Sequence, residues 1–293
     1  MVETKKVVFI GPPGTGKTTI KKVFFEMVSP LKLLKNALDP TRGINSSIYS
    51  FFDLDLGVFD LAGQENADWF SKDSNIFNHT NLIICVLDIN RYLKENIEFI
   101  GDIIRIQNDL KLSNCSIAIL LHKIDLTEPL YLQQKLKAIN DYLVNEKRQD
   151  LSSQIYPTSI TKKYFLETYD IISQLFCNLI KYKIGDINEK VLHDLRVDLG
   201  IIVQYSDLKD HKIADLFYDL NLSNKDATPR LQRLEKLGFL EFSENSPNFH
   251  LTERAGFLEL GLESEDFDEK ETKINKILES LYIFSNINQI KEV

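Results

Sequence analysis

Gly11-Pro12-Pro13-Gly14-Thr15-Gly16-Lys17-Thr18 follows the apolar run Val7-Val8-Phe9-Ile10 and opens a helical pattern over residues 17–28. Strand, glycine-rich loop and helix in that order are the setting in which the spacing GxxxxGK[ST] holds phosphate. Glycines let the chain curl until consecutive NH groups and a helix N-terminus converge on phosphate oxygens, while Lys17 brings a point charge and Thr18 a hydroxyl for Mg2+. Pro12 and Pro13 have no NH. The cradle is therefore expected from Gly14 through Thr15, Gly16, Lys17, Thr18 and Thr19, with Pro13 at its edge.

Outward from the loop, short apolar runs alternate with longer helical patterns as far as residue 183, the signature of βα units stacking a mainly parallel sheet between helices. Strands are expected over residues 7–10, 47–52, 56–59, 82–87, 117–121 and 154–156, and helices over 17–28, 93–110, 129–146 and 162–182. The runs at 47–52 and 56–59 are too close for a helix between them, so they must pair as an antiparallel hairpin. The fold class is α/β, a phosphate-loop nucleotide-binding domain with a six-stranded sheet.

The phosphate loop alone does not name the base, since many AAA+ ATPases carry the same eight residues. Such an ATPase needs a second apolar strand ending in Asp-Glu. The candidates here end Val58-Phe59-Asp60-Leu61 and Val86-Leu87-Asp88-Ile89, with no Glu. Asp60 instead opens Asp60-Leu61-Ala62-Gly63-Gln64-Glu65, which matches the Asp-x-x-Gly-Gln of Ras-like GTPases. At a strand end Asp60 can hold Mg2+ through water, Gly63 leaves its NH free for the γ-phosphate, and Gln64 can orient the attacking water. With Lys17, Gly63 and Gln64 form the expected catalytic set.

The base reader is His122-Lys123-Ile124-Asp125, in the place of the Asn-Lys-x-Asp of GTPases. Asp125 can accept two hydrogen bonds from the guanine edge, and Lys123 can lay its aliphatic stem along the ring. Adenine would leave that carboxylate unsatisfied, at a cost of about 1–3 kcal/mol. Thr158-Ser159-Ile160 follows the last strand, where GTPases carry a loop whose backbone approaches the guanine oxygen.

Together these residues make the segment 5–183 resemble the Rag family of small GTPases, an Arf-like branch of the Ras group. His in place of Asn at position 122 and the Thr158-Ser159-Ile160 loop carry the likeness, with Pro40-Thr41 and the short stretch to Asp60. The resemblance implies GTP/GDP and Mg2+ as ligands, slow hydrolysis, and protein regulators and effectors. It implies that Thr41 is the switch I threonine, a contact of the metal alongside Thr18 and Asp60, and that switch II runs from Gly63 to about Ser74. Base contacts implied for His122, Lys123, Asp125, Ser159 and Ile160 complete the site. Arg42 beside Thr41 is expected to be solvated, so no arginine is expected to act in cis.

At 293 residues the chain exceeds the usual single-domain size. The pattern changes near residues 184–188, giving expected domains over 1–183, 186–260 and 261–293. Rag proteins continue into a roadblock dimerisation domain, whereas residues 186–260 resemble a winged helix-turn-helix, so a dimer is left open. Its cue is Thr228-Pro229-Arg230-Leu231-Gln232-Arg233, read as a helix capped by Thr228, started by Pro229 and ended at Gly238. Arg230, Arg233 and Lys236 would suit phosphate contacts, but the segment holds 14 acidic against 9 basic residues, a local balance of about −5 that repels a duplex. Protein binding is the favoured use; a GTP-gated DNA-binding regulator and an AAA+-like ATPase are the alternatives. Residues 263–271 read as an acidic linker and 272–289 as an amphipathic helix packed on a core.

The net charge of −8 and pI near 5.3 speak against nucleic-acid binding through the whole surface. Cys85, Cys115 and Cys177 match no metal-ligand spacing and are expected as reduced thiols in a cytoplasmic setting. No signal peptide, transmembrane run, myristoylation glycine or prenylation cysteine is expected.

Overall fold

The computed structural model describes residues 3–36, 38–71, 74–182, 187–242, 246–262 and 266–292. Along the chain the elements run β1 (Glu3–Ile10), α1 (Lys17–Phe24), α2 (Pro30–Lys35), β2 (Ile44–Phe51), β3 (Leu54–Leu61), α3 (Asn66–Trp69), β4 (Leu82–Asp88) and α4 (Leu93–Asp109). Then come β5 (Ser116–His122), α5 (Pro129–Asn145), β6 (Ile155–Thr158), α6 (Phe165–Ile180), α7 (Glu189–Gln204), β7 (His211–Lys212) and α8 (Ile213–Asp219). The last elements are α9 (Asn224–Lys236), β8 (Leu240–Phe242), β9 (Asn248–Leu251), α10 (Glu253–Gly261), α11 (Phe267–Ser285) and β10 (Ile287–Glu292). Two compact units result, one of residues 1–21, 38–160 and 287–293, the other of residues 22–37 and 161–286. The expected seam at 184–188 lies largely outside the described residues, which resume at Ile187.

In the first unit a seven-stranded sheet has the order β10-β2-β3-β1-β4-β5-β6. β1 lies parallel to β3 and β4, and β4, β5 and β6 continue in parallel, while β2 is antiparallel to β3. The central strands show no alternation of polar and apolar residues: Leu82 to Leu87 of β4 are all buried. Strands covered on both faces must be apolar on both. One side of the core joins Val8, Ile10, Cys85, Leu87 and Ile119 to Ile100, Ile103, Ile139 and Leu143 of α4 and α5.

Six strands were expected in this sheet, and among the described residues it has seven. The expected helix over 272–289 starts earlier, at Phe267 within the expected linker 263–271, because Asp266 caps it through the NH groups of Asp268 and Glu269. It ends at Ser285, after which β10 pairs antiparallel with β2, its register broken between Gln289 and Lys291. α1 also ends short of Val28, and Met27 adopts a left-handed backbone, φ 54°. The three cysteines are buried and free. Among the described residues no helix is long and apolar enough to cross a membrane.

In the second unit α7, β7, α8, α9, β8 and β9 follow one another, with the three strands forming a small sheet of order β7-β9-β8. α9 begins at Asn224, so the expected cap at Thr228 and start at Pro229 are corrected: Pro229 lies inside the helix. The start moves upstream because the Ser223 carbonyl accepts from Asp226 N at 3.0 Å and Ala227 N at 2.9 Å, closing the first turn there. Gly238 does follow the helix, at φ 72°. The Arg254 guanidinium is buried among Phe165, Tyr169 and Phe239, with ring centroids 5.3, 5.8 and 5.3 Å away, and donates to the Val23 carbonyl at 2.8 Å.

Candidate nucleotide site

The phosphate loop joins β1 to α1 at the C-terminal end of the parallel strands, where open α/β sheets bind ligands. Two of its glycines have the conformation that L side chains resist, Gly14 at φ 75° and Gly16 at φ 102°. Gly16 also has no room for a side chain, since a Cβ there would stand 2.6 Å from His122 Cδ2. The His122 ring is buried directly against the loop, with Nδ1 3.0 Å from Thr158 Oγ1. Burial lowers its pKa to about 4, so the ring is neutral at pH 7.

Lys17 is buried and donates to the carbonyls of Gly11 at 2.7 Å and Pro12 at 3.0 Å. Burial lowers its pKa to about 8, an effect the Asp60 carboxylate opposes. Thr15 Oγ1 bonds the Pro12 carbonyl at 3.0 Å and tightens the turn, while Pro13 is exposed and Thr19, next on α1, is half-buried.

Three oxygens expected at the metal come together. Thr18 Oγ1 lies 2.9 Å from Thr41 Oγ1 and donates to Asp60 Oδ2 at 2.6 Å. Two hydroxyls and a carboxylate are hard oxygen donors, the chemistry Mg2+ takes when phosphates and waters fill its other positions. A cage of three or more His, Cys, Asp or Glu side chains is absent among the described residues, and a nucleotide-held Mg2+ needs none. Gln64, exposed on the single turn Gly63–Glu65 that follows β3, donates from Nε2 to the Thr41 carbonyl at 2.7 Å. Gly63 packs on the loop so closely that a Cβ would stand 2.5 Å from Pro13 N. Trp69 follows on α3, buried, its indole NH on the Ala62 carbonyl at 2.9 Å. Residues 72–73 of the expected switch II lie outside the described residues.

At the other end of the site Lys123 has a left-handed backbone, φ 64°, which turns its ammonium back onto the loop. It donates to the Gly14 carbonyl and to Asp88 Oδ2, both at 2.7 Å. Burial alone would raise the Asp88 carboxyl, but hydrogen bonds from Lys123 and the Asn90 backbone outweigh it and hold it below the usual carboxylate range. Asp125 is exposed, and Ser159 Oγ donates to its Oδ1 at 2.5 Å. Ile160 is buried beside them in sequence. Asn90, Asp125, Thr127 and Tyr131 share the lining of a cavity of about 560 Å³.

Asp88, Asn66 and Arg91 were not expected at the site. Asn66 Nδ2 donates to the Gly11 carbonyl at 3.1 Å, and Arg91 Nη2 to that of Pro13 at 2.8 Å. The one available signal was Asp88 at the end of an apolar strand, read only as a failed Asp-Glu.

Residues 6–199, well over half of the chain, match the family described as the Gtr1/RagA G protein conserved region. No curated protein matches the chain. With the phosphate loop, Asp60, Gly63 and Asp125 gathered at one end of a mainly parallel sheet, the chain belongs to the Gtr1/RagA family of G proteins, GTPases that bind guanine nucleotide and act through regulators and effectors.

Proposed function

We propose that this GTPase is a cytoplasmic switch that holds Mg-GTP through Lys17, Thr18, Thr41 and Asp60 and releases both switch segments when the γ-phosphate is lost. The observation that carries the reading is the approach of Thr41 to Thr18 and the phosphate loop, 2.9 Å between hydroxyls, because it supports a switch I threonine beside the oxygens expected to hold Mg2+. Asp125, backed by Ser159, accepts from the guanine edge, and Lys123 lies along the ring. Backbone NH groups from Gly14 to Thr19 hold phosphate oxygens. Gln64 leaves the Thr41 carbonyl to orient water in line with the γ-phosphorus, and the Gly63 NH meets a γ-oxygen. Held by Thr18, Thr41 and Asp60, a Mg2+ ion would supply neutralisation of the phosphate charge. Intrinsic turnover is slow, on the order of 10⁻⁴ to 10⁻² per second, and a protein activator raises it.

For residues 186–260, within the second unit, we propose a winged helix-turn-helix that binds protein. The order α7-β7-α8-α9-β8-β9 supports the fold. Against the DNA-bound alternative, three cations of α9, Arg230, Arg233 and Lys236, are engaged within the unit. Arg230 bonds Asp194 at 2.6 Å and Asp198 at 3.2 Å, Arg233 bonds Asp198 at 2.5 Å, and Lys236 donates to the Ser285 carbonyl. Side chains so paired are not available for phosphate.

Trp69 is the only tryptophan. Its fluorescence should differ between the GDP complex and that of a nonhydrolysable GTP analogue, and should ignore adenine nucleotides; an identical signal in both guanine complexes would remove the switching claim. A salt-dependent duplex shift by the chain would restore the DNA reading.

A further inference from the structure

Arg91 follows the turn at the end of β4 and belongs to none of the motifs that define the nucleotide site. Its Nη2 donates to the Pro13 carbonyl at 2.8 Å, its Nη1 lies 3.3 Å from Glu95, and the side chain is one-third exposed. The guanidinium is near enough to Lys17 to help weaken that ammonium's hold on its proton. A charge that no pH in the working range removes therefore reaches the rim of the phosphate loop.

Pro13 is also the residue that Gly63 abuts: a Cβ on Gly63 would stand 2.5 Å from Pro13 N and 2.6 Å from Pro12 C. If the Gly63 NH meets the γ-phosphate, the Arg91 guanidinium rests on the loop residue that Gly63 abuts.

The backbone bearing Arg91 is fixed by buried polar side chains. Lys135 donates to the carbonyls of both Ile89 and Arg91, and Asn96 donates to that of Asp88 at 3.2 Å. Ile89 N donates to the His122 carbonyl at 3.0 Å, and Asn90 N to Asp88 Oδ1 at 2.9 Å. The pair with Glu95 does not account for this scaffold, because an exposed i,i+4 ion pair contributes only about 0.3–0.5 kcal/mol. Rigid support of this kind is what a group needs when its charge must be aimed.

We propose that Arg91 is a catalytic arginine supplied in cis, an inference that rests on the GTP-hydrolysing reading of the site. As the water oxygen bonds to the γ-phosphorus, the bond from that phosphorus to the β–γ bridging oxygen breaks. The bond's electron pair stays on the β-phosphate of GDP, and the water's proton leaves with inorganic phosphate. Arg91 exchanges no proton. It turns from Glu95 toward the bridging and γ-oxygens, where negative charge grows in the transition state and a fixed cation is worth more than in the ground state. The Pro13 carbonyl keeps the guanidinium over the loop until then.

Two measurements on the full chain test this. In single-turnover hydrolysis of bound GTP, Arg91→Ala should be slower by about 100-fold, the loss typical of removing one preorganised donor, and Arg91→Lys should recover part of it. With Mg-GDP and aluminium fluoride, a mimic of the transferring phosphoryl group, the unaltered chain should give a saturable change in Trp69 fluorescence with no partner present, and Arg91→Ala should give none. The affinity of both for GDP should agree within about threefold. An unchanged rate in Arg91→Ala, fluoride capture that survives the substitution or never occurs, or a parallel loss of GDP affinity would overturn the assignment while leaving the switch intact. A chain that holds no guanine nucleotide at all would overturn the switch reading and this one with it.

Discussion

Gln64 donates its side-chain amide to the backbone carbonyl of Thr41, 2.7 Å away. Gly43, two residues beyond Thr41, donates its NH to Glu65 Oε1 at 2.9 Å, so the two segments are laced together on both sides of the glutamine. The residue expected to orient water is thus held by the segment expected to sense the γ-phosphate.

Gln64→Leu removes the amide and with it both jobs. Hydrolysis of bound GTP should fall by about 100-fold, as expected when a reacting water loses its orientation, while GDP affinity stays near that of the unaltered chain. A rate within a factor of two in single-turnover assays would place the water elsewhere.

Base selection should change with a single atom type. Asn at position 125 offers one acceptor and one donor where Asp125 offers two acceptors, so Asp125→Asn should lose guanine affinity by more than about tenfold and gain affinity for xanthine nucleotides. Ser159→Ala, which frees Asp125 Oδ1 from its 2.5 Å hydrogen bond, should give a smaller loss without the gain. Calorimetry with GDP, XDP and ADP decides; equal affinity for ADP and GDP in the unaltered chain would remove the base-reading role.

Lys17 gives a pH dependence with a definite sign. Its pKa in the nucleotide-free chain is lowered to about 8 by burial, while phosphate oxygens favour the charged form and raise it in the complex. GDP affinity should therefore be full below pH 8 and decline above it, and binding at pH 8.5 should take up protons. Calorimetric enthalpies in buffers of different ionisation heat measure the uptake; proton release would contradict the assignment.

Buried His122 should make the fold acid-sensitive. Its pKa is about 4 in the folded chain against 6.5 for an ordinary imidazole. Between those values the unfolded chain binds more protons, so stability falls as pH drops from 6.5 to 4, by on the order of 3 kcal/mol. His122→Asn should flatten that part of the profile in urea unfolding followed by circular dichroism.

Arg254 is a buried cation held by aromatic faces and the Val23 carbonyl. Arg254→Ala opens a cavity and should cost about 2–5 kcal/mol, whereas Arg254→Met keeps most of the volume and should cost less. Reversal of that order in urea midpoints would mean the charge itself stabilises the unit.

The parts of the site that were legible share one property: their chemistry is written in local spacing. Gly11 to Thr18, Asp60 to Gln64 and His122 to Asp125 each pack a loop, its φ requirements and its reactive groups into a few consecutive residues. Asn66 on α3, Arg91 after β4 and Lys135 on α5 reach the site only because the fold brings separate elements together, and nothing near them in sequence marks that meeting. Pro229 looked like a helix start because proline suits one, but backbone bonds to the Ser223 carbonyl begin α9 earlier. Ile287 and Ile290 fit a helical spacing as well as a strand, and only the open side of β2 decides between them.

β10 occupies the outer side of β2, the strand that begins three residues after Thr41. Being joined covalently to its docking groove, it competes as though present at millimolar concentration, so a foreign strand that arrives by ladder formation must evict it first. The new rim that β10 presents is irregular at Ile290, which discourages a second copy from zipping on. Any protein that meets that flank is left side-chain surfaces to bind and no free main-chain ladder on β2.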